Sequence, residues 1–146
     1  MDISRQYEEL VISGYVCVVI VDEQRVKTLV RVAKDSAELA TTHIASLKSK
    51  DNYFPILVQV NGVLQDYARA LLYSIGVEVD DSHLYLALCV RFPGLELDYT
   101  LLESIRGKCE MGDGVFLKQL DWKKVELYVR MFLGVMSEYC DERGWK

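Results

Sequence analysis

Few residues in this chain carry reactive chemistry, and they are scattered. Arginine offers a planar guanidinium suited to phosphate or carboxylate, and Arg106 stands where a helical stretch gives way to the glycine-rich "GKCEMGDG". Histidine is the side chain that moves protons near neutral pH; only His43 and His83 are present, and none follows residue 83. Cys17, Cys89, Cys109 and Cys140 lie far apart with no CxxC pair, which points to reduced, mostly buried thiols rather than a zinc knuckle or a disulfide frame. No metal or cofactor site is expected. The glycines at 107, 112 and 114 do not match a phosphate loop, which needs two glycines five apart, then Lys and Ser or Thr, after a buried strand. An irregular hinge is the expectation there.

Two more charges stand out because of their neighbours. Asp66 and Arg69 lie among apolar residues, and if both face inward they must be paired, since an isolated buried charge is very costly. Asp66, Arg69 and Arg106, with Lys108 beside them, form the candidate binding cluster. His83 is read as a first-turn residue bonded to a nearby carbonyl or carboxylate, and His43 as a helix-end residue favoured by the dipole.

The elements that would position these residues are helical. Of 146 residues, 51% are hydrophobic and 27% charged, ordinary for one folded domain and against bulk disorder. The net charge is −5, which excludes a chain basic overall that binds nucleic acid by its total charge. Residues 78–103 alone carry Glu78, Asp80, Asp81, Glu96, Asp98 and Glu103 against Arg91, so the rest is balanced. A solvated, helix-capping face is expected there. No leader-like pattern and no apolar run near membrane-spanning length occurs, so a cytoplasmic location without membrane contact is expected.

Val26, Leu29, Val30, Ala33, Ala37, Ala40, Ile44 and Leu47 step by threes and fours, predicting a helix from a cap at Asp22 to about Lys48. Its outer face, with Arg31–Asp35 and Lys34–Glu38 at i,i+4, is expected to be solvated. After the turn "SKDNYFP", capped by Asp51 or Asn52, a second long apolar helix runs to Gly76, with Gly62 read as a close helix approach. Asp80, Asp81 or Ser82 opens a helix ended by Pro93-Gly94, and Asp98 or Thr100 opens a short one through "LLESIRG". The last, capped by Asp121, turns Trp122, Val125, Val129, Phe132, Leu133, Met136 and Cys140 to one side. Residues 1–21 read as a short helix capped by Ser4, then an extended arm "YVCVVIV" without a visible partner strand and so a candidate dimer contact. The expectation is a single all-α domain, 1–146, in which that helix and arm (1–21) precede an up-and-down bundle of four to five helices (22–146).

Over roughly residues 22–142 the order of these pieces resembles the HEPN family (higher eukaryotes and prokaryotes nucleotide-binding). The second long helix ends in "ARALLYSIGVEVDDSHLYLAL", residues 68–88, where the family shows A-x-A-L-hydrophobic-x-x-x-G, a short loop and a His. A short helix, a segment entered by an Arg, a loop and a final amphipathic helix follow. The resemblance implies a homodimer. In active members it implies a ribonuclease that uses an Arg and a His with four to six residues between them, meeting their symmetry mates at the dimer cleft. Arg106 matches the Arg, but Gly107 replaces the usual polar residue, and Met111, Gly112 and Asp113 fill the His window. The proton carrier is missing, with only Lys108, Glu110 or Asp113 to substitute. The expectation is therefore a non-catalytic or altered HEPN-like interaction, nucleotide- or RNA-binding module, in a toxin–antitoxin or stress system with a nucleotidyltransferase-type partner. A ribonuclease with displaced catalytic groups and an unrelated helical bundle are the alternatives.

Overall fold

The structure is a computed structural model that describes residues 2–112 and 114–145. Among the described residues it is an all-α bundle of six helices: α1 (Ile3–Ile12), α2 (Glu23–Ser46), α3 (Phe54–Ser74), α4 (Leu84–Arg91), α5 (Tyr99–Cys109) and α6 (Gln119–Glu142). Two short strands, β1 (Cys17–Val18) and β2 (Val77–Glu78), and two 3-10 turns at Asp81–His83 and Pro93–Leu95 complete it.

α3 is the axis. Twelve of its 21 residues are buried, from Ile56 round to Tyr73, so its apolar surface covers more than one face and must be enclosed from several sides. α2, α4, α5, α6 and β2 all lie against it. α2 contributes Val26, Val30, Ala33 and Ala40 to that core, and α6 contributes Trp122, Val125, Val129, Phe132, Met136 and Cys140. A large apolar side chain removed from water in this way stabilises the fold by about 1.5–3 kcal/mol.

Polar side chains fix the joints. Asn52 Oδ1 accepts from the backbone N–H of Phe54 at 3.0 Å and of Leu117 at 2.8 Å, while its Nδ2 donates to the Val115 carbonyl at 3.0 Å. One amide thus opens α3 and ties the 115–117 loop to it. Asp22 caps α2 as expected, accepting from Gln24 N–H at 3.0 Å, and Asp98 caps α5 through Leu101 N–H at 3.0 Å.

Several expectations need correction. α1 is capped by Asp2, which accepts from Ser4 and Arg5, because the acceptor must sit one residue outside the first helical one. α6 begins at Gln119, so Asp121 lies inside its first turn and does not cap it. α5 runs through Gly107 to Cys109 instead of breaking there. Lys34 does not pair with Glu38; its Nζ reaches Asp141 at 2.7 Å and Ser137 Oγ at 3.2 Å, fastening α2 to α6. A Cβ added at Gly62 would meet nothing within 4 Å, so no helix packs closely there.

The extended arm does have a partner. β1 pairs antiparallel with β2, Cys17 opposite Glu78 and Val18 opposite Val77, and Val19 N–H donates to the Gly76 carbonyl at 2.9 Å. Tyr73 Oη then accepts from Asp22 N–H at 2.9 Å and lies 3.3 Å from the Ile20 carbonyl, to which it donates. Gly76 is required at this crossing. Its φ is +76°, and a Cβ would stand 2.8 Å from the Val19 carbonyl oxygen, a backbone atom that cannot swing aside. Gly76→Ala is therefore expected to lower unfolding free energy by about 1–3 kcal/mol, whereas Gly62→Ala should raise it by up to about 1 kcal/mol. Urea denaturation of both variants checks the pair; equal midpoints would contradict the crossing described here.

Candidate functional site

α3 lays Asn61, Gln65 and Arg69 on one stripe, because residues four apart in a helix share a face. α5 turns Leu102 and Ile105 into the core, which leaves Glu103, Arg106 and Glu110 along its other side. The 3-10 turn after β2 brings Asp81 and Ser82 opposite. Together Asn61, Gln65, Asp81, Ser82, Arg106, Cys109 and Glu110 line an open cleft of 290 Å³.

Beneath it is a buried polar pair. Asn61 is 7% exposed and is the one buried polar residue among the described ones. Tyr85 Oη donates to Asn61 Oδ1 at 2.6 Å, with the Asn61 carbonyl at 3.2 Å. Burial pushes the Tyr85 phenol far above its usual range, with Cys109 and Glu103 adding to the rise and Arg106 and Arg69 opposing it. The hydroxyl is a fixed donor, not an acid.

Both candidate arginines flank this pair, and each is held between two carboxylates. Arg69 reaches Asp66 Oδ1 at 3.2 Å and Asp81 Oδ1 at 2.6 Å. Arg106 donates from Nε to Glu103 Oε2 at 2.7 Å and from Nη1 to Glu110 Oε1 at 2.5 Å. Partial burial works against the Arg106 charge, but its bond to Glu103 and the field of Glu103 and Glu110 more than offset this, holding the guanidinium above its ordinary value. Four carboxylates surround two cations, so the site as built is locally acidic. Asp66 and Arg69 are only half-buried, which explains why the pair tolerates this position without full enclosure.

Lys108 does not join them. Two residues along a helix point to different sides, and Lys108 lines a separate cleft of 460 Å³ with Phe54, Leu57, Met111 and Lys124. His83 Nδ1 is bound to Asp80 Oδ1, the carboxylate contact expected for it, and its ring lies tilted against that of Tyr15, centroids 5.7 Å apart. Burial works to raise the Asp80 carboxyl, but the bonds from His83 and Ser82 bring it below its ordinary value. His43, in the last turn of α2, meets Gln59 Oε1 at 2.9 Å. Asp113 lies outside the described residues.

The thiols are poor nucleophiles here. Burial, followed by nearby Asp98 and Glu103, pushes Cys89 up to about 12; burial and then Glu110 pushes Cys109 up to about 11; burial also takes Cys140 up to about 11. Cys109 Sγ points at the Leu57 carbonyl, 3.6 Å away. Cys17 is the exposed one.

Asp66, Arg69 and Arg106 were legible as chemistry-bearing residues, whereas Asn61, Gln65, Tyr85, Glu103 and Cys109 were missed. A signal existed for three of these: Asn61 and Gln65 interrupt an apolar helix four apart and align with Arg69, and Glu103 stands three before Arg106. No group of three or more His, Cys, Asp or Glu among the described residues is arranged to hold a metal ion, and no helix there is long and apolar enough to cross a membrane. Compared with protein-family models, curated proteins and solved structures, the chain matches none.

Tyr85→Phe is expected to cost about 1–2 kcal/mol, because Asn61 Oδ1 is left without its donor, and Asn61→Leu with Tyr85→Phe should recover part of that. Denaturant titration of the native chain and the two variants reads this out. Alkali should act in one direction. The thiols ionise near their ordinary value of 9.0 in the unfolded chain but at about 11 to 12 when folded, so the unfolded state binds fewer protons across that window. Stability is thus complete below pH 9 and lost as pH rises toward 11–12. Thermal melts across this range that stayed level would contradict the buried thiols.

Proposed function

We propose that this chain is a non-catalytic, HEPN-like interaction module, one that docks a protein partner at the cleft between α3, α5 and the 81–83 turn. The closure of both guanidiniums by carboxylate pairs carries this reading. A phosphate group would have to displace a carboxylate from Arg106 or Arg69 and then sit among the remaining acids, which disfavours an RNA backbone. A protein surface can instead exchange pairs, offering carboxylates to the arginines and cations to the released Asp81 or Glu110.

The same geometry argues against a ribonuclease with displaced groups. Such chemistry needs a proton carrier within hydrogen-bond reach of the Arg106 guanidinium's substrate. Lys108 opens on another cleft, Glu110 is engaged by Arg106 itself, and His83 is held by Asp80. In the setting the resemblance implies, the partner is a nucleotidyltransferase-type protein in the cytoplasm, and the module contributes binding rather than turnover.

Incubation of the purified protein with total cellular RNA tests the proposal, with Arg106→Ala in parallel. The expected result is intact RNA with both proteins. Cleavage by the native chain that disappears in Arg106→Ala would overturn it and restore the nuclease reading.

A further inference from the structure

α6 has two apolar faces, and only one of them is used. Its inner stripe packs on α3, but on the opposite side Leu120 is 69% exposed, Leu127 63% and Met131 54%, with Tyr128, 44% exposed, on the flank. A helix lying on a bundle normally keeps that side polar. Leu120, Lys124, Leu127, Met131, Gly134 and Glu138 are spaced alternately four and three apart, the seam spacing of a two-helix coiled coil. A Cβ at Gly134 would meet nothing within 4 Å, so a second backbone can approach there. We propose that this outer face of α6 binds a second copy of itself, antiparallel, about a two-fold axis between Leu127 and Met131.

Charge identifies the occupant. The basic residues Lys118, Lys123 and Lys124 crowd the start of α6 with only Asp121 against them, while Glu138, Asp141 and Glu142 crowd its end. This is the reverse of what the helix dipole favours, since its N-terminus is the positive pole and its C-terminus the negative one. At the far end Lys34 of α2 holds Asp141 and Arg143 lies over the Tyr139 ring, while Glu138 and Glu142 make no salt bridge among the described residues. An isolated α6 is therefore charged against its own dipole. An antiparallel copy sets each basic end beside an acidic end of opposite dipole, so both mismatches are relieved at once. A parallel copy would stack like upon like.

The seam closes on itself when its midpoint is the symmetry axis, as a two-fold interface requires. Leu127 of each copy then packs on Met131 of the other, and the Lys124 stem crosses Gly134. The ammonium head of Lys124 then reaches Glu138 one turn beyond Gly134. The contact runs about 28 Å along the helix at 1.5 Å per residue. It leaves Arg106 and its cleft open, so this inference stands independently of the partner assigned to that cleft.

Sedimentation velocity of the full chain at tens of micromolar tests it. The native protein is expected to be a dimer. Leu127→Glu with Met131→Glu should weaken self-association by at least about 100-fold, because two carboxylates would be buried unpaired. Its thermal melt should match that of native monomer, since both side chains are more than half exposed in one copy. Lys124→Glu alone should weaken the dimer by about tenfold, and Lys124→Glu with Glu138→Lys should restore it. A native chain that stays monomeric would overturn the inference. So would a dimer that survives the double glutamate variant but dissolves on Val18→Lys with Ile20→Lys, which would move the contact to the N-terminal arm.

Discussion

The demand that α3 stay dry shapes every other element. A helix with buried residues around most of its circumference cannot rest on a single neighbour; it needs α2, α6, α4, α5 and the β2 segment as separate walls. Backbone polar groups of α3 are satisfied within the helix, so the enclosure costs nothing on that account. Asn61 is the exception, a side-chain amide in the wall facing α4, and Tyr85 supplies the hydroxyl that makes its burial tolerable. The cleft above exists because this pair prevents α4 and α5 from closing fully over α3 with apolar groups.

That origin also explains the electrostatics of the site. Arginines placed at the rim of a dry helix keep part of their charge in low dielectric and so recruit carboxylates from whichever element is nearest, α5 for Arg106 and the 81–83 turn for Arg69. The acidic run between residues 78 and 103 is thus more than a solvated, helix-capping face. Asp98 does cap α5, but Asp81 neutralises Arg69 of α3 and Glu103 neutralises Arg106 one turn along its own helix. Charge that looks unbalanced along the chain is partly offset at the cleft, which keeps an excess of acid.

What could be read from the chain beforehand follows from range. The apolar stripes of α2, α3 and α6 repeat every three or four residues, a local signal, and each appeared where the spacing placed it. Pairing of β1 with β2 was invisible because it joins Cys17 to Glu78 through two residues on each side, too short to show alternation. Lys34 was assigned to Glu38 one turn away, yet the better-placed acceptor, Asp141, comes from the opposite end of the chain. Caps went astray at Ser4 and Asp121 because several polar residues competed within one turn and backbone geometry chose among them. In the site, Arg69 and Arg106 announced themselves by chemistry. Tyr85 did not, since an aromatic in "LYLALC" reads as core until a buried acceptor is found opposite it.

The crossing of the arm over Gly76 has a further consequence, for the order of events in folding. Its hydrogen bonds link residues 17–22 to residues 73–78, so they form only after α2 and α3 have closed the long stretch between them. The arm is then the last piece to dock and the first to leave. Its release frees the Asp22 backbone from Tyr73 and uncovers β2 without disturbing the walls of α3. Such a segment opens as a local unit at a free energy well below that of global unfolding. In hydrogen exchange, Val19 and Asp22 amides would therefore trade with solvent long before those of α3.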